Sequence, residues 1–418
     1  MQHIVKIITI RVKKVRKINK NCYYSIIHMN INNKGENMIN LKKLGLTALA
    51  GSLVAVSAQA GEMSVTGSAN VTYKEGNGAV ADSFGTDKDV AFTGTGELDN
   101  GWTFTVSTLL DDAYAVSSSY TSLTMGDMGT VSFGADTGGA SYKYDEEVPQ
   151  SYEQTSDGQQ NSANIVGNRM DSNMIVYNSP SFDLGVASAS FDFEWSKSAN
   201  GTAANDGGTA TDNDASTNIA DQFGQGLGLG VTINAGDLAI GVYGAERENI
   251  TKPAAANNAG SSITGASTAM SDFQGVWYAK YAYGPVAVGY SHSYHDSGLN
   301  LASAAHTAAK TVGEVAGIFD AETYSIAYNV NDNLSVSYTE TTDTYDAQSG
   351  DRGATSGAGL VGAQAIHNDV DQKTSAIQAA YSMGAASIKF YSMKTDNPGY
   401  DSDALEQRTN EIALGLAF

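Results

Sequence analysis

One acidic stretch holds the residues whose types and spacing best suggest chemistry. Its carboxylates are Asp145, Glu146, Glu147, Glu153 and Asp157, and tyrosines are interspersed at 142, 144 and 152. Carboxylates lining a narrow aqueous passage would concentrate cations, because fixed negative charge attracts counter-ions there. The alternative interpretation is a solvated acidic loop that lies outside any passage.

Other patterns give little support for catalysis. His292 and His295 are an odd number of positions apart on a predicted strand, so they point to opposite faces and cannot share a metal there. The sequence contains no G-x-S-x-G motif, and its glycines at 224–230 alternate as in a strand rather than forming a dinucleotide-binding loop. A pairing of His295 with Asp296 and a nearby serine stays open as an alternative, but the prediction is that the protein is not an enzyme.

Metal binding has only a general basis in the composition. The long Gly/Ala/Asn/Asp-rich segments carry many aspartates, whose oxygens could bind Ca²⁺. No EF-hand loop and no G-G-x-G-x-D repeat is present. We therefore predict no cofactor, with Ca²⁺ bound by the loops as the alternative.

Charge is distributed unevenly along the 418 residues. The chain has 24 Lys+Arg and 45 Asp+Glu, and residues 1–60 contain ten of these bases and one of the acids, which leaves 14 bases and 44 acids for 61–418. Binding to nucleic acid requires clustered Lys and Arg. The sequence therefore predicts that the body has no nucleic-acid partner.

The first 60 residues have the layout of a targeting segment. Lys42 and Lys43 precede an apolar run over 44–56, and Ala58-Gln59-Ala60 forms a small-residue cleavage site. This order predicts a secretory signal peptide over 38–60, with residues 1–37 as a mis-assigned upstream start. A real basic extension is the alternative for 1–37. With Cys22 in the removed part, the mature protein would have no disulfide.

The body, residues 61–418, shows period-two alternation typical of half-buried strands. Val65, Val71 and Tyr73, for example, alternate with hydroxyl and amide side chains. Sixteen such segments are predicted near 62–73, 89–98, 102–111, 117–125, 130–136, 172–179, 184–195, 223–234, 238–247, 272–283, 286–296, 320–330, 334–345, 372–383, 386–395 and 406–418.

The connections between these segments alternate between tight turns and long loops. Sixteen strands with turns at one end and loops at the other form an up-and-down meander, which must close to remove its exposed edges. The prediction is an all-β fold, a closed antiparallel transmembrane β-barrel of about 16 strands. A secreted β-sandwich or solenoid is the alternative, although it does not explain the one-sided loop lengths.

Three local patterns resemble those of bacterial outer-membrane barrels. The apolar alternation over 411–418 ends on Phe418, which resembles the assembly signal of such barrels. Residues 117–136 are similar to the strand–turn–strand of Gram-negative general porins, where a Gly-x-x-Gly turn precedes a T-V-x-F-G strand. Residues 169–180, RMDSNMIVYNSP, resemble the R-x-D-N-S-x-x-Y-x-S-P hairpin of the same family.

This resemblance implies more than the pattern itself establishes. The family consists of homotrimers of 16-stranded barrels in which the third long loop, here between the two porin-like motifs, folds into the barrel. It implies an acidic constriction opposed by bases on the wall, for which the candidates are Arg169, Lys280 and Lys389. It also implies contact with outer-membrane lipid and lipopolysaccharide, and with the barrel-assembly machinery.

The predicted function is a water-filled outer-membrane channel for passive diffusion of ions and small hydrophilic solutes. The excess of acids predicts that the channel prefers cations. The alternative is a non-conducting structural or adhesive barrel that acts through its long external loops. A solute-specific channel would require a run of aromatic residues along one wall, and the sequence shows no such run.

Overall fold

The computed structural model describes most of the predicted body of the chain. The described residues are 61–77, 82–113, 115–135, 139–155, 174–197, 223–249, 263–264, 267–269, 272–296, 299–301, 305–306, 317–347, 370–400 and 402–418. The predicted start segment and signal peptide lie outside them, as do Asp157 and Arg169. In this part of the chain, no helix is both long enough and apolar enough to cross a membrane.

Sixteen antiparallel strands make up the barrel in the described residues. They are β1 Glu62–Gly76, β2 Ser83–Glu97, β3 Thr103–Leu110, β4 Val116–Thr124, β5 Thr130–Ala135, β6 Met174–Asn178, β7 Ser188–Ser196, β8 Phe223–Ala235, β9 Leu238–Asn249, β10 Asp272–Tyr283, β11 Val286–Asp296, β12 Gly317–Asn331, β13 Leu334–Ala347, β14 Val370–Met383, β15 Ala386–Asp396 and β16 Gln407–Ala417.

The sheet closes on itself. Each strand pairs with the next along the chain, and β16 pairs with β1, with Leu414 opposite Val71. Beyond β16, the Phe418 N–H donates to the Gly67 carbonyl at 2.9 Å, and the Gly67 N–H donates to the Phe418 carbonyl at 2.7 Å. A Cβ at Gly67 would lie 2.5 Å from the Phe418 ring, so the glycine provides the space for this aromatic side chain.

The two faces of the barrel differ as the alternation predicts. On β14, Gln372, Thr374 and Gln378 are buried, whereas the intervening Ile377 and Tyr381 are exposed. The polar face is the inner face of the ring, and the exposed apolar face is the outer one, where it can meet lipid hydrocarbon without a desolvation cost. The predicted all-β transmembrane barrel of 16 strands is therefore confirmed.

Connections at the two ends of the barrel differ in length. Tight turns join the strands at Gly101, Gly236, Gly284 and Gly384, which all adopt a positive φ that a residue with a side chain would find strained. At the other end, two short ladders pair Ile263–Thr264 with Ala305–His306 and Ser267–Ala269 with Leu299–Leu301.

Strand starts are where the sequence prediction is least accurate. Strand β2 begins at Ser83, six residues before the predicted start at 89, because the segment 83–89 has Phe84 as its single large apolar side chain and shows no apolar alternation. The β6–β7 hairpin also differs, since Phe182–Asp183 pairs with β7 and the turn falls at 184–187 instead of 179–183.

Candidate pore constriction

The segment that links β5 to β6 is described over residues 139–155, which we call the inner segment. It contacts every strand from β7 to β16. The wall residues that it contacts belong to the inner face and are mostly polar side chains and glycines, with a few buried apolar residues such as Met174 and Val276 packed around Ala140 and Tyr144. The inner segment therefore lies along the polar face of the barrel wall.

Asp192 on β7 is one of the two carboxylates that hold the start of the inner segment. It accepts hydrogen bonds from the Tyr144 hydroxyl at 2.8 Å and from Asn178 Nδ2 at 2.6 Å, and it forms an ion pair with Lys143 at 2.5 Å. Tyr144 and Asp192 are both buried. Charge-assisted bonds of this kind are roughly twice as strong as bonds between neutral groups, so Asp192 fixes the position of the tyrosine.

Glu194, two residues further on the same face of β7, is the other carboxylate. It accepts hydrogen bonds from the Ala140 N–H at 2.6 Å and from the Tyr243 hydroxyl. The Tyr243 ring stacks on Tyr144 with centroids 5.3 Å apart. We call this group, Lys143, Tyr144, Asp192, Glu194 and Tyr243, the first anchor.

Glycines on β8 make room for the first anchor. A Cβ at Gly230 would lie 2.4 Å from the Tyr144 ring, and a Cβ at Gly228 would lie 2.4 Å from Glu194 Oε1. Both distances are far shorter than van der Waals contact. The alternating glycines of β8 are therefore a platform on which a tyrosine and a carboxylate can lie directly against the backbone.

The middle of the inner segment crosses β11, β12 and β13. Pro149 lies over Gly289, where a Cβ would be 2.4 Å from the proline ring, and the Ser325 hydroxyl donates to the Pro149 carbonyl. The Ser151 N–H donates to Ser337 Oγ at 2.9 Å. Small hydroxyl residues on the wall thus satisfy backbone groups that would otherwise be buried without partners.

Tyr152 and Glu153 hold the other end of the inner segment. Gln378 on β14 accepts from both backbone N–H groups, at 2.7 and 3.1 Å, and its Nε2 donates to the Glu153 carbonyl at 2.6 Å. Glu411 on β16 accepts from the Tyr152 hydroxyl at 2.5 Å and from the Tyr391 hydroxyl at 3.1 Å. Tyr152, Gln378, Tyr391 and Glu411, with Lys74 and Lys389, form what we call the second anchor.

Tyr152 is a proton donor in this anchor across the physiological pH range. Burial raises the pKa of its phenol, and the charges of Glu153 and Glu411 raise it further because each disfavours a phenolate nearby. The hydroxyl therefore remains protonated while it donates to the Glu411 carboxylate.

The predicted constriction acids have different surroundings. Glu147 is buried and forms an ion pair with Lys280. Glu146, with φ 37°, is buried and accepts from the Thr155 N–H at 3.0 Å and from the Thr155 hydroxyl at 2.7 Å, so it stabilises the inner segment from within. Asp145 and Glu153 are partly exposed.

Of the three predicted wall bases, Lys280 and Lys389 are among the described residues, and both lie on the inner face. Lys280 shares that face with Val276 and Tyr278, and it meets Glu147 of the inner segment. Lys389 places its ammonium 5.0 Å from the centroid of the Tyr152 ring, a cation–π contact. Each base therefore contacts the inner segment.

The sequence analysis overlooked two further bases, Lys74 and Lys143, and three wall acids, Asp192, Glu194 and Glu411, of this region. Lys74 of β1 forms an ion pair with Glu411 at 2.9 Å, and Lys143 belongs to the inner segment itself. Asp192 and Glu194 alternate with outward apolar residues on β7, so their parity already pointed inward. Alternation could have found these carboxylates and Lys74, but it could not show that Lys143 would reach Asp192.

Metal binding finds no support in the described side chains. No group of three or more His, Cys, Asp or Glu residues among them is arranged to hold an ion. Most of the long acidic loops lie outside the described residues, so bound Ca²⁺ stays untested.

Comparison with known proteins identifies the family. The sequence profile of the Gram-negative porins matches residues 45–257, about half of the chain. The chain belongs to the Gram-negative porin family. No curated sequence matches it significantly.

Solved structures of outer-membrane barrels share the fold of this porin. OmpF of Salmonella typhi in complex with daunomycin is similar with a TM-score of 0.57 at 11% identity, over 87% of this chain and 99% of that one. A loop L8 deletion mutant of OmpT from Vibrio cholerae gives 0.55 at 12%, over 86% and 100%. The channel DcaP of Acinetobacter baumannii gives 0.52 at 12%, over 88% and 100%.

Family and fold together assign the compartment. The protein is an integral outer-membrane protein, and its membership of the porin family points to a channel rather than an enzyme.

Proposed function

We propose that this porin is a water-filled channel for passive diffusion of ions and small hydrophilic solutes, with a preference for cations. The observation that supports the proposal best is the inner segment, which is bonded across the polar inner face from β7 to β16. A segment held in this way would narrow the lumen. Its charged side chains would then control which ions pass.

Wall charges away from the inner segment support the cation preference. Asp87 and Asp89 lie on the same face of β2 as the inward Asn70 and Ser68 of β1, with Ser68 Oγ 3.5 Å from Asp89. Lys88 between them points to the outer face. On this part of the wall, the fixed charge that faces the lumen is negative, and it attracts cations.

Assembly and partners are inferred from the resemblance to general porins. We propose a homotrimer in contact with outer-membrane lipid and lipopolysaccharide, assembled by the barrel-assembly machinery through a signal that includes Phe418. One solved relative, OmpT of Vibrio cholerae, is described in a trimer form, at 13% identity and a TM-score of 0.52.

The experiment is a conductance measurement on purified protein in a planar bilayer under a KCl gradient. We expect conductance steps in groups of three and a reversal potential on the cation-selective side. Asp87→Asn with Asp89→Asn should move the reversal potential toward zero, because both carboxylates face the lumen. Glu147→Gln tests the inner segment in the same way, and it should also move the potential toward zero.

The matched control is Asp237→Asn, which neutralises an exposed aspartate in the β8–β9 turn. Salt screens charges over about 8 Å at physiological ionic strength, so this change should leave the reversal potential unmoved. A folded, heat-modifiable barrel that does not conduct would refute the channel and favour the structural or adhesive barrel. A reversal potential on the anion-selective side would support the channel but refute the proposed cation preference.

A further inference from the structure

A second segment also lies against the inner face, at the end of the barrel with the long loops. The β15–β16 connection begins with a tight turn over Pro398–Tyr400. Tyr400, which is 4% exposed, packs its ring on Phe319 of β12 with centroids 5.3 Å apart and at 57°. Its hydroxyl donates to the Asp343 carboxylate of β13, which is also buried.

Backbone and amide contacts fix this turn in place. The Gly399 N–H donates to Gln372 Oε1 on β14 at 2.8 Å, and Asn397 Nδ2 donates to the Asp371 carbonyl at 2.8 Å. The turn therefore contacts three consecutive strands, β12, β13 and β14. Gln372 and Asp343 are inner-face residues, so Gly399 and Tyr400 cover the wall from inside.

The backbone of the turn is strained, which indicates that its contacts hold it in place. Asn397 and Tyr400 have φ values of 51° and 59°, in the left-handed region that favours glycine. Such a conformation persists in a non-glycine residue only where the surrounding contacts hold it. An aromatic residue in this conformation, buried and hydrogen-bonded, is therefore held by the wall rather than by local preference.

The turn is next to the end of the inner segment. Thr155 Oγ1 lies 2.6 Å from Thr341 Oγ1, and Thr341 and Asp343 are successive inner-face residues of β13. Asp343 is the position closer to the long loops. The turn thus lies one inner-face position further toward the long-loop end than the inner segment.

We propose that the Pro398–Tyr400 turn is a second in-folded constriction, anchored by Tyr400, that limits the size of the solutes reaching the inner segment. This inference rests on the proposed channel function. Tyr400 acts by position: its ring and hydroxyl hold the turn over β12–β14, and the turn occupies space that solutes would otherwise cross.

The decisive variant is Tyr400→Gly, which removes the ring and hydroxyl and relieves the positive φ, so the change should not hinder folding. We expect single-channel conductance to rise by about 1.5-fold, since a constriction near the mouth adds to the resistance of the pore. The flux of a large neutral sugar should rise more than that of a small one. Tyr400→Phe retains the ring and should give a smaller rise.

Leu405→Gly is the matched control, because Leu405 is in the same connection and 90% exposed. It should leave conductance and sugar flux at the wild-type values. If the Tyr400→Gly variant has the same conductance and sugar flux as the wild type, the proposed second constriction is wrong, whereas the channel function still stands. An equal rise in Leu405→Gly would also overturn it, because the effect would then come from loop flexibility.

Thiol labelling tests the position of the turn independently of whether the barrel conducts. In a chain with Cys22→Ser, the variant Ala321→Cys places a thiol at a buried inner-face position opposite Asp343, and Leu405→Cys places one in an exposed position. With Tyr400 present, an impermeant maleimide should label position 321 far more slowly than position 405, and Tyr400→Gly should accelerate labelling at 321. Equal rates at 321 and 405 with Tyr400 present would overturn the placement of the turn, whether or not the barrel conducts.

Discussion

The two anchors of the inner segment use the same chemistry with different balances of charge. In each, a tyrosine of the segment donates to a wall carboxylate, Tyr144 to Asp192 and Tyr152 to Glu411. The first anchor has two carboxylates and one lysine, whereas the second has one wall carboxylate, paired with Lys74, and a second lysine, Lys389, over the Tyr152 ring.

Packing around the two tyrosines differs as well. Tyr144 is fully buried and lies directly on the glycine backbone of β8, whereas Tyr152 is partly exposed beside Lys389. A tyrosine ring buried against a glycine backbone is closely packed, which restricts its movement. Lys389 beside Tyr152 is partly exposed as well, so its charge lies near the water and ions of the lumen. We infer that the first anchor positions the segment and that the second adjusts the field that permeating ions meet.

The largest effect should come from Gly230→Ala in the first anchor. The added Cβ would lie 2.4 Å from the Tyr144 ring, and overpacking of this kind costs about 1–3 kcal/mol. Because the backbone of β8 is fixed by the barrel, the tyrosine must move, and the start of the inner segment must move with it. We expect higher single-channel conductance and faster proteolysis within 139–155.

Gly244→Ala is the matched control for that variant. Gly244 lies on the adjacent strand, β9, and the nearest atom to an added Cβ is 3.5 Å away, an ordinary contact. Its conductance and protease resistance should equal those of the wild type. Equal effects of the two substitutions would show that β-sheet glycines matter for strand geometry rather than for a platform under Tyr144.

The next prediction compares Tyr144→Phe with Tyr152→Phe. Each substitution removes one hydroxyl bonded to a carboxylate, worth about 1.5–3 kcal/mol, and retains the ring. Tyr152→Phe should shift the reversal potential toward stronger cation preference, because the Glu411 carboxylate loses a hydrogen-bond donor that partly offsets its negative charge. Tyr144→Phe should leave the reversal potential unchanged but increase open-channel noise. Equal shifts in the two variants would contradict the division of roles between the anchors.

Alternation of polar and apolar residues predicted the barrel because it is a local property of each strand. It assigned all sixteen strands and placed Lys389 on the inner face, and the same reasoning extends to Asp192 and Glu194. Strand β2 shows the limit, since 83–89 is held in the sheet by pairing with β1 instead of by an apolar stripe of its own.

The anchors could not be predicted because they join residues far apart in the chain. Tyr152 and Glu411 are 259 positions apart, and the loop residues have no periodicity that fixes their direction. The glycines of β8 were visible in the sequence, and only the structure shows that they receive Tyr144 and Glu194. Glu146 illustrates the same limit, because its acidic neighbours predict a pore charge whereas its carboxylate bonds to Thr155.

The smallest effect should come from Lys389→Met in the second anchor. The ammonium of Lys389 lies over the Tyr152 ring, a contact worth about 0.5–1 kcal/mol, so its loss should leave the inner segment in place. Removing one positive charge from the inner face should raise the cation preference slightly, which a reversal-potential measurement at low salt would detect.

Lys394→Met provides the comparison for this last substitution, because Lys394 lies on the same strand but on the opposite face, paired with Asp396 and Glu406. Since the barrel wall separates it from the lumen, its loss should leave the reversal potential unchanged at any salt concentration. A shift at Lys389 that disappears at high salt would show that its charge acts through the solution in the lumen. A shift of the same size at Lys394 would mean that the net charge of the barrel, rather than the second anchor, sets the selectivity.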